Sequence, residues 1–84
     1  MDNAIKYTQI AIDKNKKDIP VLIDSYTNLS VFYREKKDYK RALFAAQKVK
    51  ELIEEMLKRN PTSEIYKKKY KIFTEYIEQL KKKL

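Results

Sequence analysis

The sequence predicts an all-α fold, an antiparallel array of about four helices joined as helix hairpins. Apolar residues recur at helical spacing along nearly the whole chain, and the alternation typical of strands is missing. The chain has two prolines and no glycine, the residue on which tight turns between strands depend most. Its 84 residues are too few for two domains, so one helical domain is expected.

The predicted helices cover about residues 2–15, 19–36, 38–59 and 62–83. Asp18, Asp38 and Thr62 are the predicted N-caps, because a short polar side chain there can accept hydrogen bonds from first-turn N–H groups. Pro20 fits the first turn of the second helix, where its missing N–H has no role. Pro61 ends the third helix, because it pushes the preceding residue out of the α region.

Each predicted helix carries an apolar stripe that can pack on a neighbour. In chain order, the stripes contain Ala4, Ile5, Tyr7, Ala11 and Ile12; Leu22, Tyr26, Leu29, Phe32 and Tyr33; Tyr39, Ala42, Leu43, Ala46, Val49, Ile53 and Met56; and Tyr66, Tyr70, Phe73, Ile77, Leu80 and Leu84. Ala45 and Ala46 are expected to be close-packed, because small side chains allow two helices to approach closely.

The residue types present argue against catalysis. The chain has no Cys and no His, which removes the commonest general base, thiol nucleophiles and zinc ligands. Its acidic residues at helix ends and turns are spread without the spacing of metal ligands. We therefore expect a non-enzymatic protein with no cofactor and no metal.

The net charge is +8, and seven lysines against three glutamates in residues 63–84 supply half of it. Such a balance favours anionic partners, although it also serves solubility alone. No apolar run approaches the roughly 20 residues of a membrane span. Residues 1–18 are polar and of mixed charge, unlike a signal peptide, so a cytoplasmic location is expected.

Residues 25–46 contain two adjacent patterns. In the first, an aromatic residue is followed three positions later by Leu, then by a small residue, and three positions after that by Tyr; Tyr26, Leu29, Ser30 and Tyr33 fill these places. The second is a polar turn that leads into an alanine, Asp38–Ala42. This stretch resembles a tetratricopeptide repeat. Ser30 replaces the family's usual Gly, Lys or Asp replaces its turn Gly, and its closing Pro comes late. The long third helix and a period near 40 residues resemble the repeats of peptide-sensing bacterial and phage regulators. The resemblance implies a peptide groove lined by the second and fourth helices.

Residues 22–84 also resemble a microtubule-interacting-and-trafficking domain, a three-helix bundle. Tyr39–Leu43 matches its Tyr-x-x-Ala-Leu pattern, and Glu75–Ile77 matches a Glu-Tyr-hydrophobic sequence in its third helix. The Arg-Ala-Glu that usually follows is absent, and residues 2–15 would be an addition. This alternative implies a module that binds a helical tail.

Asn28 lies beside the stripe of the second helix, where the tetratricopeptide resemblance implies that an Asn grips a peptide backbone. Its amide offers one donor and one acceptor to a peptide unit. A 40-residue translation places three lysines of the fourth helix beside it. The predicted ligand-binding residues are Asn28, Thr27, Val31, Lys67, Lys68 and Lys71. This groove would prefer an extended acidic segment or a C-terminal carboxylate; otherwise these side chains are only a solvated face.

Nucleic acid is an alternative partner. Lys67–Lys71 and Lys81–Lys83 could contact nucleic-acid phosphates, with Tyr66 and Tyr70 as stacking rings. The tyrosines lie on the apolar seam and the chain has three arginines, so this alternative is less favoured.

A second copy of the chain is another possible partner. A second apolar stripe on the fourth helix, formed by Ile65, Ile72 and Tyr76, has no predicted partner within the chain. It predicts a dimer through the last helix, or else a further repeat downstream.

Overall fold

The computed structural model describes residues 2–84 and contains, within them, four α-helices and no strand. The helices are α1 Asp2–Lys14, α2 Ile19–Glu35, α3 Tyr39–Arg59 and α4 Glu64–Lys82. The predicted all-α array is confirmed, and each helix end lies within two residues of the expected position.

Side chains at the helix starts explain these boundaries. Asp18 and Asp38 cap α2 and α3 as predicted, each accepting a hydrogen bond from the N–H three residues further on. The predicted cap at Thr62 is wrong by one residue. Ser63 caps α4 instead, because the turn after Asn60 includes Thr62, whose hydroxyl donates to the Asn60 side chain at 3.3 Å.

The turn between α2 and α3 is tight although it lacks glycine. Lys37 takes a left-handed conformation with φ of 61°. The Lys37 N–H donates to the Arg34 carbonyl and the Asp38 N–H donates to the Tyr33 carbonyl, so the end of α2 is closed by a Schellman pair. A lysine in this conformation costs about 1–2 kcal/mol, which the packing of the two helices must offset.

The central element is α3, which packs on both α2 and α4, whereas α1 packs on α2 alone. One face of α3 is completely buried; it consists of Ala42, Ala45, Ala46, Val49 and Ile53. The predicted close packing of Ala45 and Ala46 is therefore confirmed. Such small side chains allow the helices on either side to approach closely.

Neighbouring helices run antiparallel, so α2 and α4 run in the same direction. Ala42, near the start of α3, belongs to the same cluster as Leu80, near the end of α4. The Cα atoms span 36 × 32 × 14 Å, a flat arrangement. Two surfaces adjoin α2, one shared with α4 and one between α1 and α3.

Two residues of the expected stripes lie outside the core. Tyr7 is 70% exposed, because within residues 2–84 α1 packs on α2 alone, through the face that carries Ile5 and Ile12. Leu84 is also exposed, because it lies beyond the end of α4.

An ion pair fixes the start of α1 against the end of α2. Lys36 Nζ donates a hydrogen bond to the Asp2 carboxylate. This hydrogen bond, together with the attraction of the ammonium charge, lowers the pKa of Asp2 below its ordinary value. Both side chains are solvent-exposed, so the pair adds little to stability at physiological salt.

Replacing Ala46 by Leu tests the close packing on α3. The larger side chain has no free volume there, so we expect the free energy of unfolding to fall by about 1–3 kcal/mol in chemical denaturation. Gln47→Leu, at the exposed neighbouring position, is the matched control and should change stability little. Equal stability of Ala46→Leu and the wild type would contradict the packing.

Candidate interaction surfaces

A buried polar junction joins α2, α3 and α4. Ser30 in α2 is fully buried, and its hydroxyl donates to the Ala42 carbonyl at 2.8 Å. Tyr76 Oη lies 3.0 Å from Ser30 Oγ. Since the serine proton is used toward Ala42, the tyrosine hydroxyl is the donor in this second bond. The small residue at position 30 therefore does more than allow close packing, because its hydroxyl ties α4 to α2.

The junction is one of several contacts between α2 and α4. Ser30 and Tyr76 are 46 positions apart in the chain, whereas the sequence repeat predicted a translation of 40. Arg34 and Tyr76, 42 positions apart, are also in contact, and Tyr26 packs against the same cluster as Tyr66, 40 positions further on. The two helices therefore meet over a range of offsets that includes the predicted one.

The predicted ligand-binding residues lie on α2 and α4, the expected pair of helices. Asn28 is exposed, while Thr27 and Val31 are half-buried. The Thr27 hydroxyl donates to the Ile23 carbonyl at 2.7 Å. The lysines at 67, 68 and 71 are all exposed.

The residues of the predicted dimer surface have different environments. Ile65 and Ile72 are exposed by 66% and 60%. Tyr76 is half-buried: its hydroxyl bonds to Ser30, its ring meets the Phe73 ring edge-on at 5.8 Å, and the Arg34 guanidinium lies 5.4 Å from the ring centroid. Tyr76 thus belongs to the joint between helices, which leaves the two isoleucines as the apolar surface available to a second copy.

A small cavity lies where the ends of α2 and α4 meet the start of α3. Its volume is about 130 Å³. Its lining residues are Arg34, Tyr39, Tyr76, Gln79, Leu80 and Lys83. Two of them are cations and, within the described chain, none is a carboxylate, so the cavity is electropositive. The sequence analysis missed it because Arg34 and Lys83 are far apart in the chain and belong to no motif.

A larger groove, the α1–α3 groove, lies on the opposite side of α2. Among the described residues, no Cα atom of α1 lies within 8 Å of one in α3, so the two helices leave α2 uncovered between them. The groove has two compartments of about 270 and 430 Å³, which share Gln9, Leu29 and Phe44 in their lining. Phe44 is 59% exposed and forms part of the α3 wall.

A metal-binding cluster and a membrane-spanning helix are both absent from residues 2–84. No group of three or more acidic side chains there is placed to hold a metal ion. None of the four helices is both long and apolar enough to cross a membrane.

Comparisons with known proteins place this chain in no group. No protein-family model matches it, and neither a curated protein nor a solved structure is significantly similar to it. The resemblances to tetratricopeptide repeats and to the three-helix trafficking domain therefore remain predictions.

The dimer through α4 remains a prediction that sedimentation can test. If Ile65 and Ile72 form its core, the chain should sediment as a dimer at tens of micromolar, and Ile72→Glu should convert it to a monomer. A wild-type monomer at that concentration in moderate salt would contradict the dimer. Tyr7→Glu, at an exposed site on α1, is the control.

Removing the hydroxyl of Tyr76 tests the polar junction. Tyr76→Phe should lower the free energy of unfolding by about 0.5–1.5 kcal/mol, the net contribution of one hydrogen bond. Tyr7→Phe should have no effect, because Tyr7 is exposed. If both variants unfold at the same denaturant concentration as the wild type, the junction does not stabilise the fold.

Proposed function

We propose that this chain is a non-enzymatic interaction module, and that it binds an extended acidic or C-terminal segment of a partner protein along α2 and α4. The observation that carries the proposal is the electropositive cavity between the ends of these helices. Tyr76 lines this cavity and its hydroxyl bonds to Ser30, so the cavity adjoins the contact between α2 and α4.

The chemistry of the cavity suits a carboxylate. Arg34 can offer two parallel N–H donors to the two oxygens of a carboxylate, and such charge-assisted pairs are the strongest hydrogen bonds in proteins. The Tyr76 ring, 5.4 Å from the guanidinium, limits the positions that Arg34 can take. Lys83 and the Gln79 amide add further donors. The volume suffices for a chain terminus or one short acidic side chain.

The spacing along α2 predicts the length of the bound segment. Arg34 follows Asn28 by six residues, which is about 9 Å of helix axis. An extended peptide advances about 3.3 Å per residue. A peptide unit held by Asn28 should therefore lie about three residues before the bound carboxylate. The exposed lysines at 67, 68 and 71 of α4 would attract acidic residues of the bound segment.

Paired peptide libraries test this function directly. Six-residue acidic peptides with a free C-terminal carboxylate are compared with the same peptides ending in an amide, using fluorescence polarisation. We expect amidation to weaken binding at least about tenfold, since it removes one charged hydrogen-bonding group. Arg34→Gln should abolish the difference, while Arg59→Gln, on exposed α3 surface, should preserve it. Equal binding of the two libraries would contradict a carboxylate site.

Asn28→Ala tests the backbone contact separately. The substitution should weaken peptide binding by about 1–3 kcal/mol, because the partner peptide unit loses its hydrogen bonds. The fold should be unaffected, since Asn28 is exposed. Unchanged affinity would remove Asn28 from the binding surface.

A salt titration separates this function from nucleic-acid binding. Binding to phosphates should weaken steeply and linearly on a log–log plot against salt concentration, in proportion to the contacts made. A peptide carboxylate held in one cavity makes fewer charge contacts than a nucleic-acid backbone, so its slope should be shallower, and neutral Asn28 should not add to it. Lys50 Nζ lies 5.2 Å from the Tyr70 ring centroid, which disfavours this ring as an open stacking platform for bases.

A further inference from the structure

We propose a second binding site that is independent of the first: the α1–α3 groove binds an amphipathic helix of a partner protein, with acidic residues toward Lys40 and Arg41. The floor of the groove is formed by Tyr26, Leu29 and Tyr33 of α2.

The groove follows α2 between two helices that do not meet. Within residues 2–84, α1 and α3 approach α2 without approaching each other, which leaves an open channel parallel to α2. An amphipathic helix can cover such a channel with its apolar face inward, so that its side chains enter the two compartments.

The two compartments match the repeat of a bound helix. One compartment is lined by Tyr26 and the other by Tyr33, and Leu29 contributes to both. Seven residues of α2 separate the two tyrosines, which is about 10.5 Å along the axis. Two side chains at positions i and i+7 of a bound helix have the same separation and would enter one compartment each.

Phe44 is the anchor that the site offers to a partner. Its ring is more than half exposed although it lies beside an apolar floor. Lys48 Nζ lies 5.6 Å from the ring centroid and covers it only in part. Large side chains in this situation contribute strongly when a partner buries them.

Charge at the two ends sets the preferred composition and direction of the helix. Lys40 and Arg41 line the compartment at Tyr33, while Asp13 lines the compartment at Tyr26. The Arg41 guanidinium already forms an ion pair with the Asp38 carboxylate at 3.3 Å. Lys40 therefore attracts an acidic side chain of the partner helix more strongly. The negative C-terminal end of a bound helix would be stabilised near Lys40, and its N-terminal end near Asp13.

A displayed library tests the site with the intact chain. The probes are 18-residue helix-forming peptides with randomised faces, selected against the wild type. We expect the recovered peptides to carry apolar residues seven apart and acidic residues toward one end. Phe44→Ser should weaken them at least about tenfold, as expected for an anchor residue. The double variant Lys40→Glu, Arg41→Glu should also weaken them.

Ile72→Ser is the matched control, because Ile72 on α4 is as exposed as Phe44 and lies on the other surface. It should leave binding of the recovered peptides unchanged, and so should Arg34→Gln. Recovery of no peptide above background would overturn the proposal. The proposal would also be overturned if the recovered peptides were basic, or if they bound without becoming helical. Equal binding of these peptides to Phe44→Ser and to the wild type would overturn it as well. Because Arg34 belongs to the other surface, failure here is distinguishable from failure of the carboxylate site.

Discussion

The fold depends on the buried small-residue face of α3. Ala42, Ala45, Ala46 and Val49 have no exposed surface, and α2 and α4 pack against this one helix. Their small side chains allow both helices to come close to the α3 backbone. Only at such a distance can the short side chain of Ser30 reach the Ala42 carbonyl and still accept a hydrogen bond from Tyr76. The close packing of the helices and the hydrogen bonds of Ser30 are therefore both consequences of one constraint, the small side chains on the buried face of α3.

That constraint produces two surfaces of different character. On one side of α2, α4 is held in a fixed alignment, and the cations of Arg34 and Lys83 meet at the helix ends. On the other side, α1 and α3 stay apart and expose an apolar floor with Phe44 at its wall. The first surface suits a charged chain end, while the second suits an apolar helix face.

Much of this architecture could be predicted from the sequence, because helix starts, the proline stop and the buried alanines are local or periodic signals. The polar contact between α2 and α4 could not. The match of Tyr26 to Tyr66 identifies the repeat, and both rings pack against one cluster, but no pattern shows that the Tyr76 hydroxyl reaches Ser30. The α1–α3 groove was missed because periodicity shows which face is apolar, not which helices fail to touch. A signal existed in Phe44, a large aromatic outside the predicted stripe of α3.

The junction of Ser30, Ala42 and Tyr76 ties α4 to the rest of the fold beside the proposed carboxylate cavity, and nuclear Overhauser contacts of the Tyr76 ring measure it directly. We predict contacts from the ring protons of Tyr76 to the β protons of Ser30 and the methyl group of Ala42, in the full chain without ligand. A Tyr76 ring that shows contacts to neither residue would contradict the junction and the position of α4 that depends on it.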